Sequence, residues 1–193
     1  MAATESTMLD LGTHAPEFRL EDVVSGSTVT AEDFDKQPLL LMFICTHCPF
    51  VKHVEGELAA LGNAYAKRGV GVVAIGSNDA EAYPADGPAG LKEQAERVGF
   101  EFPYLFDKTQ AVAKAYTAAC TPDFFLFDAN HTLVYRGRLD ASRPGNDEPV
   151  TGAELRGALE ALLAGEPMPS EQRPSMGCNI KWKAGNAPDY YGA

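Results

Sequence analysis

The chain has 193 residues, 45 % of them hydrophobic and 22 % charged, with a net charge of −11 and four cysteines. That length supports one domain with a substantial core, and the balance excludes collagen-like, coiled-coil and disordered chains. An acidic chain without clustered Lys and Arg argues against a nucleic-acid partner, and no apolar run approaches the ~20 residues of a membrane span.

Residues 1–8 lack both the basic start and the apolar stretch of a secretory signal. They are expected to be loose, and the protein is expected to be cytoplasmic. A reducing compartment favours catalytic or metal-binding cysteines over structural cross-links.

Residues 9–37 read as an extended arm holding a β-hairpin, with 17–20 and 27–30 flanking the turn residues Ser25 and Gly26. A helical turn follows at 32–34. Residues 39–44 form a continuous apolar run, the pattern of a strand covered on both faces of a sheet. Next come Cys45-Thr-His-Cys48-Pro49 and a helix over 50–68, whose Val54, Leu58, Leu61 and Tyr65 recur at helical spacing. Gly69 marks its end. Residues 70–75 predict a second buried strand, and 77–90, rich in Asn, Asp, Pro and Gly, a loop. Then follow a helix at 91–98, a short strand at 104–106 and a helix at 109–116. A hairpin of 123–127 with 132–136 comes next, and the last helix spans 154–164. Residues 165–193 predict a tail that wraps the body, with Trp182, Tyr190 and Tyr191 available to bury. No composition shift divides the chain, so residues 1–193 predict one α/β domain with a mixed sheet covered on both faces.

The chemistry centres on the C-x-x-C motif. Cys45 falls where a buried strand meets a helix, so the free N–H groups and dipole of that helix are expected to favour its thiolate. Cys48, one turn on and facing inward, is expected to resolve a mixed disulfide by attacking Cys45 and releasing the substrate thiol. Pro49 suits a first helical turn. His47 is expected to give the Cys45 thiolate positive charge or a hydrogen bond, making the pair more oxidising; its alternative is an exposed spacer. Thr121-Pro122, just before the strand at 123–127, supplies a second element.

Strand, C-x-x-C, helix and a downstream X-Pro with hairpin resemble the thioredoxin superfamily. The opening Gly12-Thr-His-Ala-Pro16-Glu-Phe18-Arg-Leu20-Glu-Asp22 resembles the arm of its redoxin branch, the alkyl hydroperoxide reductase/thiol-specific antioxidant group. The segments at 43–53, 120–125 and 177–183 are similar to a bacterial subgroup of thioredoxin-family or thiol–disulfide isomerase proteins. The resemblance implies a thioredoxin-like three-layer α/β/α sandwich with an N-terminal hairpin arm. It also implies that Pro122 is a cis-proline beside the site, and that the backbone of Thr121 pairs with an extended substrate segment. Two features depart from thioredoxin itself: leucines stand before Cys45 where thioredoxin has a buried acid, and 77–103 is longer.

Cys120 and Cys178 leave three readings open: buried small hydrophobes, a disulfide that pins the tail, or Cys120 as a third redox thiol. Glu55 and Glu57 read as a solvated face, and 140–146 as a turn held by an Asp140–Arg143 pair. Tyr83 and Trp182 read as packing residues. The leading function is dithiol–disulfide exchange at Cys45 and Cys48 with a protein or small disulfide substrate and an electron donor, with no cofactor or metal. The alternatives are a peroxiredoxin-like peroxidase with Cys48 as peroxidatic residue, a structural zinc site drawing on Cys45, Cys48, Cys120 and Cys178 or His47, and a non-catalytic binding module.

Overall fold

A computed structural model describes residues 3–191. In chain order its elements are β1 (Ala3–Glu5), β2 (Arg19–Asp22), β3 (Thr28–Thr30), β4 (Leu39–Phe43), α1 (Pro49–Ala66), β5 (Gly71–Gly76), α2 (Pro88–Val98), β6 (Tyr104–Phe106), α3 (Ala111–Ala115), β7 (Cys120–Thr121), β8 (Asp123–Phe127), β9 (Leu133–Tyr135), α4 (Ala153–Ala164) and β10 (Met176–Asn179). Single helical turns lie at Ala31–Phe34 and Pro84–Asp86.

Seven strands form one mixed sheet in the order β3-β2-β6-β5-β4-β8-β9. Strands β4, β5 and β6 run parallel, and β8 runs antiparallel to β4. The alternation of side chains along the central strands splits the core in two. Leu40 and Met42 of β4, Val72 and Ala74 of β5 and Phe124 and Leu126 of β8 join one cluster with Leu58 and Leu61 of α1, Leu91 of α2 and Leu155 and Leu159 of α4. Leu39, Leu41 and Phe43, with Val73, Ile75, Phe125 and Phe127, face the other way, against α3 and Phe18 of the arm. This is the three-layer α/β/α sandwich of the thioredoxin-like fold, and it explains why 39–44 carries no polar residue. No helix of the described residues is long and apolar enough to cross a membrane.

Gly69, at φ +86°, turns the chain out of α1 as expected. Three segments differ from the sequence reading. Helix α2 starts earlier, at Pro88, where a missing N–H costs nothing. The loop before it contains a helical turn whose Asp86 is fully buried. And residues 1–8 are not loose over their described part: β1 pairs antiparallel with β10, and Ser6 N–H donates to Ser175 O at 2.9 Å.

Strand β10 is the element that the sequence hid. It lies between β1 and β7 in a second sheet, in the order β1-β10-β7. Met-Gly-Cys-Asn carries no β-branched or aromatic residue, so the strand exists because β7 offers it an edge. The Ser175 hydroxyl donates to Pro122 O at 2.7 Å, Ile180 N–H to Ala119 O at 3.0 Å and Lys181 N–H to Asn78 Oδ1 at 2.8 Å. Beyond it, Trp182 packs against the arm-side core and lies edge-on to Tyr190.

Gly177 sets how closely β10 approaches. A Cβ there would stand 2.0 Å from the Thr121 carbonyl oxygen, a backbone atom that cannot swing aside. Gly177→Ala is expected to lower stability by about 1–3 kcal/mol, the usual cost of overpacking, and to speed proteolytic removal of the tail. Urea melts and limited proteolysis measure both.

Candidate active site

Strand β4 and helix α1 bring the two motif cysteines to one end of the sheet. Cys45 follows β4 after Ile44, and Cys48 is the N-cap of α1, with Pro49 at the first helical position. Both sulfurs are buried: the residues are 1 % and 0 % exposed. The Thr121–Pro122 bond is cis, and Thr121 touches both cysteines. Its Oγ1 lies 3.3 Å from Cys45 Sγ, and its carbonyl lies 3.2 Å from Cys48 Sγ, which as a thiol donates to it.

The segment between the cysteines is fixed from the loop side by Asp86. Oδ1 of Asp86 accepts from Thr46 N–H at 2.8 Å and from the Thr46 hydroxyl at 2.7 Å; Oδ2 accepts from Asn78 Nδ2 at 2.8 Å and meets His47 Nδ1 at 2.5 Å. Tyr83 stacks on the His47 ring, centroids 5.2 Å apart. The His47 ring is thus held by Asp86, while one of its nitrogens lies within 4.8 Å of Cys45 Sγ. A buried acid near the pair, absent from the strand before Cys45, is thus supplied by the loop. On the opposite side Gln94 donates to Cys45 O at 3.3 Å, and Glu55 ties Gln94 to Arg97. Glu55 is accordingly no free solvated carboxylate; the Arg97 and Gln94 hydrogen bonds hold it below its ordinary range against the opposing effect of burial.

The two sulfurs face one another, and each bears on the other's charge. Cys45 is pushed well above the usual thiol range by its hydrogen bond to Cys48, by burial and by the charge of Asp86. Cys48 is brought down to about 4, chiefly by the Cys45 thiol that faces it, helped by the Cys178 thiol and the Val51 backbone N–H, against the cost of burial. Cys48 is the N-cap of α1, and the Val51 N–H of its first turn contributes to that lowering. The Thr121 carbonyl, which accepts from the Cys48 thiol, opposes a charge on that sulfur.

The other two cysteines separate. Cys178 stands opposite Thr121 in the β10–β7 ladder, whereas Cys120 stands opposite Asn179, so their side chains leave opposite faces of the small sheet. All four cysteines are free thiols. Cys120 Sγ donates to Pro122 O at 3.5 Å, and burial raises its thiol well above the ordinary range; it reads as a buried small hydrophobe. The edge of Thr121, where an extended substrate segment was expected, is taken by β10. Among the described residues, the group that brings three metal-capable atoms within 4.8 Å is Cys45, His47 and Asp86, not the four cysteines.

Asp140 does not pair with Arg143. It accepts from the backbone N–H groups of Ser142, Thr151 and Gly152, while Arg143 reaches Met176 in the tail. Sequence reasoning missed Asp86, Asn78, Gln94 and Asp123. The one available signal was the excess length of 77–103, which an ordinary connection does not need.

The comparisons with known proteins agree with this geometry. The sequence model of the AhpC/TSA family matches residues 11–136. The chain belongs to that family. An uncharacterized conserved protein of Geobacillus kaustophilus shares 56 % identity and a TM-score of 0.93, over 95 % of this chain and 97 % of that one. A hypothetical protein of Sinorhizobium meliloti shares 48 % identity and a TM-score of 0.92, over 94 % and 100 %. The thiol-disulfide oxidoreductase ResA of Bacillus anthracis is 25 % identical over 158 residues, which cover 80 % of this chain and 78 % of that protein. The expected cytoplasmic location does not hold. A secreted disulfide oxidoreductase of Mycobacterium tuberculosis shares the fold, with 20 % identity and a TM-score of 0.57 over 75 % of this chain and 96 % of that one. Paired cysteines in this fold therefore do not imply a reducing compartment.

Two pH dependences follow from the site. The thiolate absorbance of the reduced protein is expected to persist as pH falls and to disappear near pH 4, the value to which Cys48 is lowered; Cys48→Ser is expected to move the first thiolate step to alkaline pH. Asp123, fully buried, has its carboxyl raised by desolvation from an ordinary 3.8 to about 7. Between those values the folded state binds the extra proton, so this residue favours folding at low pH and that contribution is lost as pH rises toward 7. Asp123→Asn keeps an acceptor for Ala119 N–H and is expected to be more stable than the parent at pH 8 by roughly 2–4 kcal/mol, with little difference at pH 4. Urea unfolding at the two pH values checks it.

Proposed function

We propose that this protein exchanges its Cys45–Cys48 dithiol for the disulfide of a protein or small-molecule substrate, and that Cys48 carries the resting charge. The observation that supports this is the pair itself: two buried, free thiols at the mouth of one helix, both touching Thr121. A thiolate is the attacking species in thiol–disulfide exchange, and an acidic one persists at neutral pH. Cys48 attacks a substrate sulfur, and the substrate's other sulfur leaves as a thiolate. Cys45 then gives up its proton and attacks Cys48, closing the Cys45–Cys48 disulfide and releasing the second substrate thiol. An electron donor reopens the pair. Asp86, Thr46 and Asn78 act as positioning residues that hold the turn between the cysteines.

A second reading rests on the same charge. Cys48 at a helix N-cap, as a thiolate, is also the arrangement that reduces a peroxide to water and becomes a sulfenic acid, which Cys45 would condense with to form the same disulfide. The two readings separate by mutation. In an insulin-disulfide reduction assay with dithiothreitol as donor, Cys48→Ser is expected to fall to background, and Cys45→Ser to stall as a mixed disulfide with under about a tenth of parental turnover. Hydrogen peroxide consumption that survives Cys45→Ser but not Cys48→Ser, in a protein with no insulin activity, would replace exchange by peroxide reduction.

A further inference from the structure

Resting on that reading, we propose that Cys178 is a third redox thiol: the chain's own tail strand lies on the Thr121 edge in the manner of a bound substrate segment and presents Cys178 to Cys48.

Three independent features of geometry carry this. The first is register. In the β10–β7 ladder Cys178 is directly opposite Thr121, and residues opposite one another in a pair of strands project to the same face. That face is the one on which Thr121 Oγ1 meets Cys45 Sγ at 3.3 Å. Cys45, Cys48 and Cys178 accordingly belong to one buried cluster, from which Cys120 is absent. The second is that one residue pins the register. A shift of one residue would turn Cys178 to the opposite face, and it would set a side chain where Gly177 now meets the Thr121 carbonyl and no Cβ fits. The third is that the strand has little of its own to hold it, as Met-Gly-Cys-Asn is a poor strand sequence. A segment kept on this edge in one register, against its own propensity, delivers one side chain to the sulfurs.

The chemistry is balanced within the molecule. In the oxidised protein the Cys178 thiolate attacks Cys48 Sγ. The Cys48–Cys178 bond forms as the Cys45–Cys48 bond breaks, the electron pair leaves on Cys45, and Cys45 takes up the proton that Cys178 released. No external oxidant is consumed, and Cys45 is left as a free thiol. In the reduced protein, burial and the facing Cys48 sulfur push the Cys178 thiol up to about 12. The second of these causes lapses once Cys48 is in a disulfide, while burial remains.

The test uses the full chain with Cys45→Ser, which keeps a small polar group beside Thr121, treated with glutathione disulfide. Cys48 is expected to take up one glutathione and Cys178 to expel it, leaving a protein that has lost two titratable thiols and carries no glutathione by mass spectrometry. The double variant Cys45→Ser with Cys178→Ser is expected to retain the adduct. A stable Cys48–glutathione adduct in the single variant, with Cys178 still alkylated, overturns the proposal while leaving Cys45–Cys48 exchange intact. If Cys48 takes up no glutathione, both fall together. Should Cys45→Ser not fold, disulfide mapping of the parent after the same oxidation decides the matter. A Cys48–Cys178 linked peptide alongside Cys45–Cys48 supports the proposal, and Cys45–Cys48 alone overturns it.

Discussion

Three sulfurs meet because one residue, Thr121, has three different groups to offer them. Its hydroxyl reaches Cys45, its carbonyl reaches Cys48, and its strand edge sets Cys178 opposite. Thr121 has no freedom to do otherwise. Strand β7 is followed after Pro122 by β8, whose Phe124, Phe125, Leu126 and Phe127 are sunk in the two cores on either side of the sheet. Its position is therefore inherited from the packing of the whole sandwich, and the geometry of the thiols inherits it in turn. The stability of the core and the chemistry of the site are linked through that one peptide unit.

The second constraint comes from the opposite side and works by polar satisfaction. A carboxylate without partners costs several kcal/mol to bury, so Asp86 is tolerated only because Thr46, His47 and Asn78 all bond to it. The same bonds hold the residues between the cysteines in one conformation and fix the His47 ring. They also leave a negative charge near Cys45, which discourages a second one on its sulfur. Charge on Cys48 is favoured chiefly by the Cys45 thiol that faces it, and Asp86 disfavours charge on the neighbour. An oriented imidazole is not needed to explain an acidic cysteine in this pair.

What could be read from the sequence was what repeats. The apolar runs within 39–44, 70–75 and 123–127 and the helical spacing of Val54, Leu58, Leu61 and Tyr65 each report burial against a core, and β4, β5, β8 and α1 lie there. The position of the cysteines between β4 and α1 followed directly. Elements whose existence depends on a distant partner left no such trace. Strands β1, β7 and β10 are two to four residues long and mostly polar or small, and only the edge of β7 makes strands of the other two. Asp86 sits among Pro, Ala, Gly and Asp in a stretch that composition assigns to solvent. Its burial is visible only once Thr46 and Asn78 are brought to it.

Both reactive sulfurs are shut away from solvent, so exchange with anything outside the molecule requires an opening, and the structure constrains where it is. The strand before Cys45 and the helix after Cys48 are the centre of the fold. The turn between them is bound by a buried carboxylate with several charge-assisted hydrogen bonds, each worth about 1.5–3 kcal/mol. The remaining wall is the small sheet of β1, β10 and β7, whose strands are short and whose middle member has weak intrinsic propensity. Local openings favour elements with few apolar contacts of their own, which puts β10 ahead of β4 or α1. Lifting β10 would expose the Thr121 edge, opposite which Cys178 stands.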